Sequence, residues 1–530
     1  MKAMTVVFLL GLMLVAMASA APAKTFVYCS EAAAEGFDPA HYTSGNTFDA
    51  SSRQIYDRLV EFERGATKIV PGLADSWEVS DDGLEYTFRL RPGVKFHTTR
   101  NFSPTRDFNA DDVVFSFERQ RLKDHPYHDV SGGEWVYFDG MSMPDLIRSV
   151  EKVDDLTVSF VLNRPEAAMI ADLAMDFASI VSKEYADKML TAKTPEMLDQ
   201  EPVGTGPFAF VAYEKDTAIR YKANDDYWRG RAAIDDLMFD IVPDSAVRYQ
   251  KLKDGECHLI PYPDPADYAA MRDDPDLVVL EQDSLNLSYL AYNTTIPPFD
   301  NRNVRKALNM AIDKQAILDG VYRGSGVIAK NPIPPIMWSY NDTVEDDAYD
   351  PETARRLLEQ EGVSNLRMKL WTSRVQRPYN PDPRWTAELI KADFEKIGVG
   401  VDLMLFDWSR FLEESRDRDR DGAIVLGWAG DNGDPDNFLA VLLGCAGVGG
   451  SNSAQWCYGP FEELVQNAKI VTDRAERTRL YAEAQLIFKE QAPWATLVHR
   501  DVYEPMRKEV INYRVDPFGG HYFYGVDLRE

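Results

Sequence analysis

The chain has 530 residues, with 86 acidic and 58 basic side chains and a formal charge of −28 at pH 7. That balance excludes a nucleic-acid partner, whose phosphates need a basic face, and disfavours adhesion to an anionic membrane surface. The length suffices for two or three domains with large cores.

Met1-Lys2 precede an apolar run from Val6 to Met17, which ends in Ala18-Ser19-Ala20 and Ala21-Pro22-Ala23. A charged start, an apolar core and small-x-small sites predict a secretory signal peptide over residues 1–23, cleaved after Ala23 or alternatively Ala20. No later run approaches the roughly 18 apolar residues of a membrane span. The mature chain is therefore expected to be soluble and exported. Cys29 lies well past the apolar run, so a lipid anchor is not expected.

Four cysteines in an exported chain suggest two disulfides, for which three pairings exist. Cys445 and Cys457 flank a Gly/Ser-rich segment, which favours a local clip and leaves Cys29 and Cys257 to pair at long range. A zinc site would need CxxC or nearby histidines, and neither is present.

Thr25 to Cys29 reads as a strand, followed by a polar loop that contains Thr43-Ser44-Gly45. Trp77–Ser80 and Tyr86–Leu90 alternate around Asp81-Asp82-Gly83, a hairpin signal, and Val150–Val153 and Thr157–Leu162 repeat it around Asp154-Asp155. Asn109 caps a predicted helix through Val113, Val114 and Phe117. Residues 67–203 thus read as a small α+β unit inserted in a larger sheet domain. Gly204-Thr205-Gly206 lacks the Lys-Ser/Thr of a phosphate loop and marks a strand entry. Strands Phe208–Tyr213 and Ala218–Lys222, a helix Ser245–Lys253 and a strand near Cys257–Ile260 follow.

A new unit begins near Ser284 with the strand Leu287–Tyr292. Helices over Asn303–Ile312, Pro351–Glu361 and Ala387–Ile397 alternate with strands, as in an α/β domain. One long helix, Glu462–Glu490, precedes a strand Ala495–His499, and Val502–Asp516 reads as a return to the first domain.

No GxSxG elbow, Walker loop, dinucleotide fingerprint or HExxH motif occurs, so no catalytic residue, cofactor or metal is assigned. Asp417, Asp419 and Asp421 before Gly422 imitate half a calcium loop, but the position of its bidentate glutamate is Trp428. The DRDRDG run is read as a solvated, salt-bridged segment.

What remains is binding chemistry. After the apolar run Ala423–Leu426 comes Gly427-Trp428-Ala429-Gly430-Asp431-Asn432-Gly433-Asp434-Pro435-Asp436. Its bland reading is a turn whose Asx side chains bond their own backbone. Its functional reading is an anionic anchor, Asp431, beside an aromatic wall, Trp428, with Gly430 admitting a ligand. Gln376-Arg377-Pro378-Tyr379 places an arginine, suited to a carboxylate, in a proline-stiffened loop. A zwitterion would use both anchors. An extended dipeptide spans about 7 Å, so two fixed counter-charges would act as a ruler against longer peptides.

Pro71 to Gly83, Gly93-Val94-Lys95-Phe96-His97, Ala110 to Ser116, Tyr28-Cys29-Ser30-Glu31, Arg377 to Pro381 and Gly427 to Phe438 together resemble family 5 extracellular solute-binding proteins, which serve ABC transporters for peptides, nickel and opines. Within that family the chain is similar to the periplasmic dipeptide-binding members of Gram-negative bacteria. The resemblance runs from Lys24 to the C-terminus and departs at Ala429, where the dipeptide-binding members have threonine, and by an extra residue in the acidic segment before Gly422.

It implies an α/β, two-lobed periplasmic binding protein fold (type II-like, cluster C) with an extra inserted α+β subdomain and two hinge strands. The expected division is 24–66, 204–283 and 502–530 in lobe I, 67–203 in the insert and 284–501 in lobe II. By position, Asp431 would bind the peptide ammonium and Arg377 its carboxylate. Thr43, Ser44 and Gly45 would face its backbone, and Trp428, Tyr379 and Gly430 would line the pocket. The same cysteine pairs are implied. So is a monomeric, non-catalytic receptor that captures dipeptides between its lobes and delivers them to an inner-membrane ABC permease. Another solute (an opine, a longer peptide, a nickel complex) stays open, as do haem and a chemoreceptor as partners. A secreted peptidase is disfavoured by the missing nucleophile-base pair.

Overall fold

The computed structural model describes residues 23–529, so the signal-peptide expectation lies almost wholly outside the described residues. Among them, no helix is long and apolar enough to cross a membrane.

Two sheet systems organise the chain. In the first, Thr25–Ser30 runs parallel to Asp236–Ile241, which pairs antiparallel with Ala218–Ala223 and through it with Phe208–Glu214. The expected strand near Cys257–Ile260 reduces to Leu259, which bridges Tyr28 on one side and Met506 on the other. Met506 belongs to Val502–Arg507, paired antiparallel with Leu277–Gln282. The C-terminal segment then packs back onto the start: Phe523 touches the rings of Phe26 and Tyr28.

The second system is a six-stranded mixed sheet ordered Val327–Ile328, Trp494–His499, Asn286–Tyr292, Ala423–Ala429, Arg367–Ser373, Gly400–Phe406. Asn286–Tyr292 is buried along its whole length because both faces are covered. Leu290 and Tyr292 enter one apolar core with Leu370 and Val425, while Tyr289 and Ala291 enter another with Trp371 and Ile424. Alternate side chains point to opposite faces of a strand, so a near-continuous apolar run is what such a position requires.

Between the two parts of the first system lies a four-stranded antiparallel sheet ordered Ala74–Val79, Glu85–Leu90, Thr157–Leu162, Ile147–Asp154. The two expected hairpins are both present, and the central pair joins them into one sheet. Asn109 and Asp112 form a reciprocal capping box on the helix Ala110–Arg121.

The chain crosses between the systems twice, at residues 283–285 and 500–501. The crossings are zipped together: Asn286 Nδ2 donates to the Arg500 carbonyl at 2.8 Å, and the Arg500 N–H donates to Asn286 Oδ1 at 2.8 Å. These are the two hinge segments of a two-lobed fold, each a short break between consecutive strands.

Three expectations need correction. Glu462–Glu490 is not one helix but two, Gly459–Ile470 and Arg474–Gln491, because Asp473 turns out of the first and caps the second by accepting from the Glu476 N–H at 2.8 Å. The helix expected from Ala387 starts at Pro383, capped by Asp382. Arg420 in the DRDRDG run is buried rather than solvated. It donates to the Ser453 carbonyl at 2.5 Å, while Asn293 Nδ2 holds the carbonyls of Arg418 and Arg420. Both disulfides form as expected, Cys29–Cys257 and Cys445–Cys457, with Cα separations of 5.8 and 4.6 Å.

Candidate functional site

The strand Ala423–Ala429 ends at the mouth of the cleft between the lobes, and the loop that follows divides its acidic residues by role. Asn432 Oδ1 accepts from the Asp434 N–H, and Asp434 Oδ1 from the Asp436 N–H, both at 3.0 Å, so the bland turn reading holds for these two. Asp434 is also paired with Arg477 at 2.8 Å, and Asp436 lies 3.4 Å from Lys469. Asp431 differs. Its Oδ1 accepts from the Tyr137 hydroxyl at 3.1 Å and its Oδ2 from Asn437 Nδ2 at 3.2 Å, and among the described residues no cation pairs with it. Burial without a counter-charge pushes its pKa up to about 6, against the smaller lowering by these two hydrogen bonds.

Arg377 is held in a tight turn, exchanging backbone hydrogen bonds with Asn380 at 2.9 and 3.0 Å. Its guanidinium lies 4.0 Å above the Trp408 ring, with Nε enclosed and lacking an acceptor, and no carboxylate pairs with it among the described residues. Stacking fixes the plane of the guanidinium, the Tyr379 side chain hydrogen-bonds it, and the donors that remain suit a planar anion.

Asp431 and Arg377 line one cavity of about 920 Å³, together with Thr43, Ser44, Gly45 and Gly430. Ser44 is the N-cap residue of the helix Gly45–Ala50, in the stretch that reads as a polar loop in sequence; its hydroxyl bonds Glu35 and Thr47. A Cβ on Gly45 would meet nothing closer than the Tyr262 hydroxyl at 4.0 Å, so the fold does not demand glycine there. What the missing side chain leaves is room beside the first N–H groups of a helix, which have no intrahelical acceptors. Gly430 is different: a Cβ would press on the Phe438 ring at 2.7 Å, and its N–H donates to the Leu285 carbonyl at 2.6 Å.

Trp428 and Tyr379 are not among the residues lining this cavity; they stand behind its wall. The Trp428 indole N–H donates at 2.8 Å to Asn437 Oδ1, the amide that also accepts the Asp431 N–H at 3.1 Å. Tyr379 is buried, its ring against Gly427 and its carbonyl accepting from the Tyr322 hydroxyl at 3.0 Å. Both therefore support the Asp431 and Arg377 loops instead of forming the pocket surface.

Tyr137, Trp408 and Arg500 carry no local sequence signal for the site. Tyr137 lies 294 residues from the carboxylate it touches, on a five-residue helix of the inserted unit. None of the seven histidines lines the cavity. Among the described residues, the one group placed to hold a metal is Cys29, Asp240 and Cys257, whose two sulfurs are joined to each other.

Two lobes, two crossings and a cleft cavity lined by Asp431 and Arg377, neither with a counter-charge among the described residues, are the architecture of a solute receptor. The sequence model of bacterial extracellular solute-binding proteins, family 5 (middle region), matches residues 68–450, and the chain belongs to that family. It is 53% identical over 523 residues to the dipeptide-binding protein of Escherichia coli (strain K12), covering 98% of each chain. It is 51% identical to heme-binding protein A of Haemophilus influenzae, over 95% of this chain and 92% of the other. Its structure overlays the dipeptide-binding protein of Pseudoalteromonas sp. SM9913 in complex with Met-Leu with a TM-score of 0.81, at 37% identity, covering 96% of this chain and 100% of that one.

Proposed function

We propose that this chain is the periplasmic receptor of an ABC importer and that it captures dipeptides, with Asp431 on the ammonium and Arg377 on the carboxylate. The observation that carries the reading is the pair of unneutralised, opposite charges lining one cavity between two lobes. Tyr137 shares the ammonium end, and the backbone at Ser44 and Gly45 faces the peptide unit. Residues 24–66, 204–283 and 502–530 make lobe I, 67–203 its inserted subdomain and 284–501 lobe II.

The volume supports room for side chains of varied size. At roughly 30 Å³ per water the cavity holds about thirty waters, enough to surround a dipeptide and satisfy varied groups. Closing the lobes removes water from both ion pairs and strengthens them, which makes the liganded form the closed one that a permease or a chemoreceptor can distinguish. The chain binds without catalysis, and one pair of lobes makes the whole site, which supports a monomer. Haem is not adopted as ligand, because a carboxylate and a guanidinium without counter-charges suit a zwitterion; a spectral titration with haemin tests that.

Calorimetry on refolded, ligand-free protein tests the proposal, comparing Ala-Ala with its N-acetyl form, its C-terminal amide and Ala-Ala-Ala. Tight binding of the free dipeptide, with losses of at least about 30-fold for each blocked form, is expected from removing one partner of an enclosed charge pair. Equal binding of all four would overturn the two-anchor reading.

A further inference from the structure

Arg500 carries a positive charge that no acidic side chain among the described residues pairs with. It sits on the second crossing between the lobes and is only 5% exposed. It borders both the main cavity and a chamber of about 80 Å³ that shares Pro378, Ala429 and Gly430 with it. Nη1 donates to the Pro378 carbonyl at 3.2 Å, Nη2 donates to the Tyr268 hydroxyl at 3.0 Å, and Nε is enclosed with no acceptor. Five N–H donors thus meet two neutral acceptors.

The neighbouring carboxylates are engaged elsewhere. Asp501 shares a hydrogen bond with Glu281, and Glu504 lies 3.1 Å from His521. The other enclosed arginines of the cavity wall are also committed: Arg53 to Asp49 and Asp176, and Arg248 to four backbone carbonyls between Val242 and Tyr262. Arg377 and Arg500 therefore flank Pro378 as two guanidinium groups, each without an acidic partner among the described residues. An arginine stays protonated when enclosed, and an uncompensated buried charge is costly. A dipeptide's terminal carboxylate answers one of them.

Resting on the dipeptide reading, we infer that Arg500 is a specificity residue that receives a second ligand carboxylate, so that the receptor prefers dipeptides with an aspartate or glutamate side chain. The charge-assisted hydrogen bond replaces water on the donors that protein groups leave open, and the paired charge no longer opposes closure.

Calorimetric titration of the ligand-free full chain with Ala-Ala, Ala-Glu, Ala-Gln, Glu-Ala and Gln-Ala tests this. The expected result is that Ala-Glu or Glu-Ala binds about tenfold or more tightly than its amide counterpart. In Arg500→Gln that ratio is expected to fall to about one, and in Arg500→Lys to stay above one. Tyr268→Phe, which removes a neutral partner and keeps the charge, is expected to retain the ratio; this separates recognition from a hinge role. Equal binding of the acid and amide forms by the native chain, or a ratio that survives in Arg500→Gln, overturns the inference while Ala-Ala binding upholds the receptor reading. Absence of Ala-Ala binding overturns both.

Discussion

Asp431 is distinguished from the aspartates around it by what it lacks. Asp434 and Asp436 have basic neighbours, whereas Asp431 has only a phenol and an amide, and its pKa stands at about 6. An ammonium needs the ionised carboxylate, and pairing with it lowers the carboxylate pKa in the complex. Protons therefore compete with ligand: affinity should be level above about pH 6 and fall as the pH drops through it, by up to about tenfold per unit. Asp431→Asn should weaken dipeptide binding by at least about 30-fold and flatten this dependence. Calorimetry between pH 4.5 and 8 checks both, and an unchanged slope in the variant would assign the titration to another group.

At the scale of elements, the strand Ala423–Ala429 carries the Asp431 loop and backs onto the Arg377 loop through Gly427. A Cβ at Gly427 would fall inside contact distance of the Leu287 carbonyl and the Tyr379 ring, so either the strand pairing or the Arg377 turn must shift. Gly427→Ala should lower stability by about 1–3 kcal/mol and weaken binding at both anchors, measurable by urea unfolding and by titration. The strand is legible in sequence because its apolar run ends abruptly in glycine and Asx residues. The division of labour within the loop is not, since Asp431, Asp434 and Asp436 look alike until Arg477 and Lys469 arrive from distant helices. The break at Asp473 was readable: Asp473 and Glu476 are spaced as a helix start, but apolar residues on both sides keep the helical period and hide it. In sequence Trp428 and Tyr379 look like ring surfaces for a ligand, yet the indole donates a hydrogen bond to Asn437, and Tyr379 packs on Gly427 and hydrogen-bonds the Arg377 side chain. Composition reports neither use.

For the whole molecule, the question is what holds the lobes against each other without ligand. Besides Tyr137–Asp431, Asn432 Nδ2 donates across the cleft to Asp172 Oδ1 at 2.7 Å, and the Ala167 N–H donates to the Lys469 carbonyl at 2.7 Å. Glu166 and Asp172 of the inserted unit thereby face Asp434 and Asp436, with Lys469 between Glu166 and Asp436 and Arg477 paired to Asp434. Glu166 Oε1 and Asp436 Oδ1 are both enclosed without a donor, and burial holds the Glu166 pKa up at about 7, against the lowering by Lys469. Opening exposes Glu166 to water, where its pKa returns toward about 4.3, so the open form binds fewer protons in the window between these values. A rising pH across that window therefore favours opening, by up to about 1.4 kcal/mol per unit, and Asp431 acts in the same direction. The ligand-free chain should have a larger radius of gyration at pH 8 than at pH 5.5 by small-angle X-ray scattering. Glu166→Gln should remove much of that difference, and saturating dipeptide should hold the compact value at both pH values. A radius of gyration independent of pH in the free native chain would mean that the carboxylates across the cleft play no part in closure.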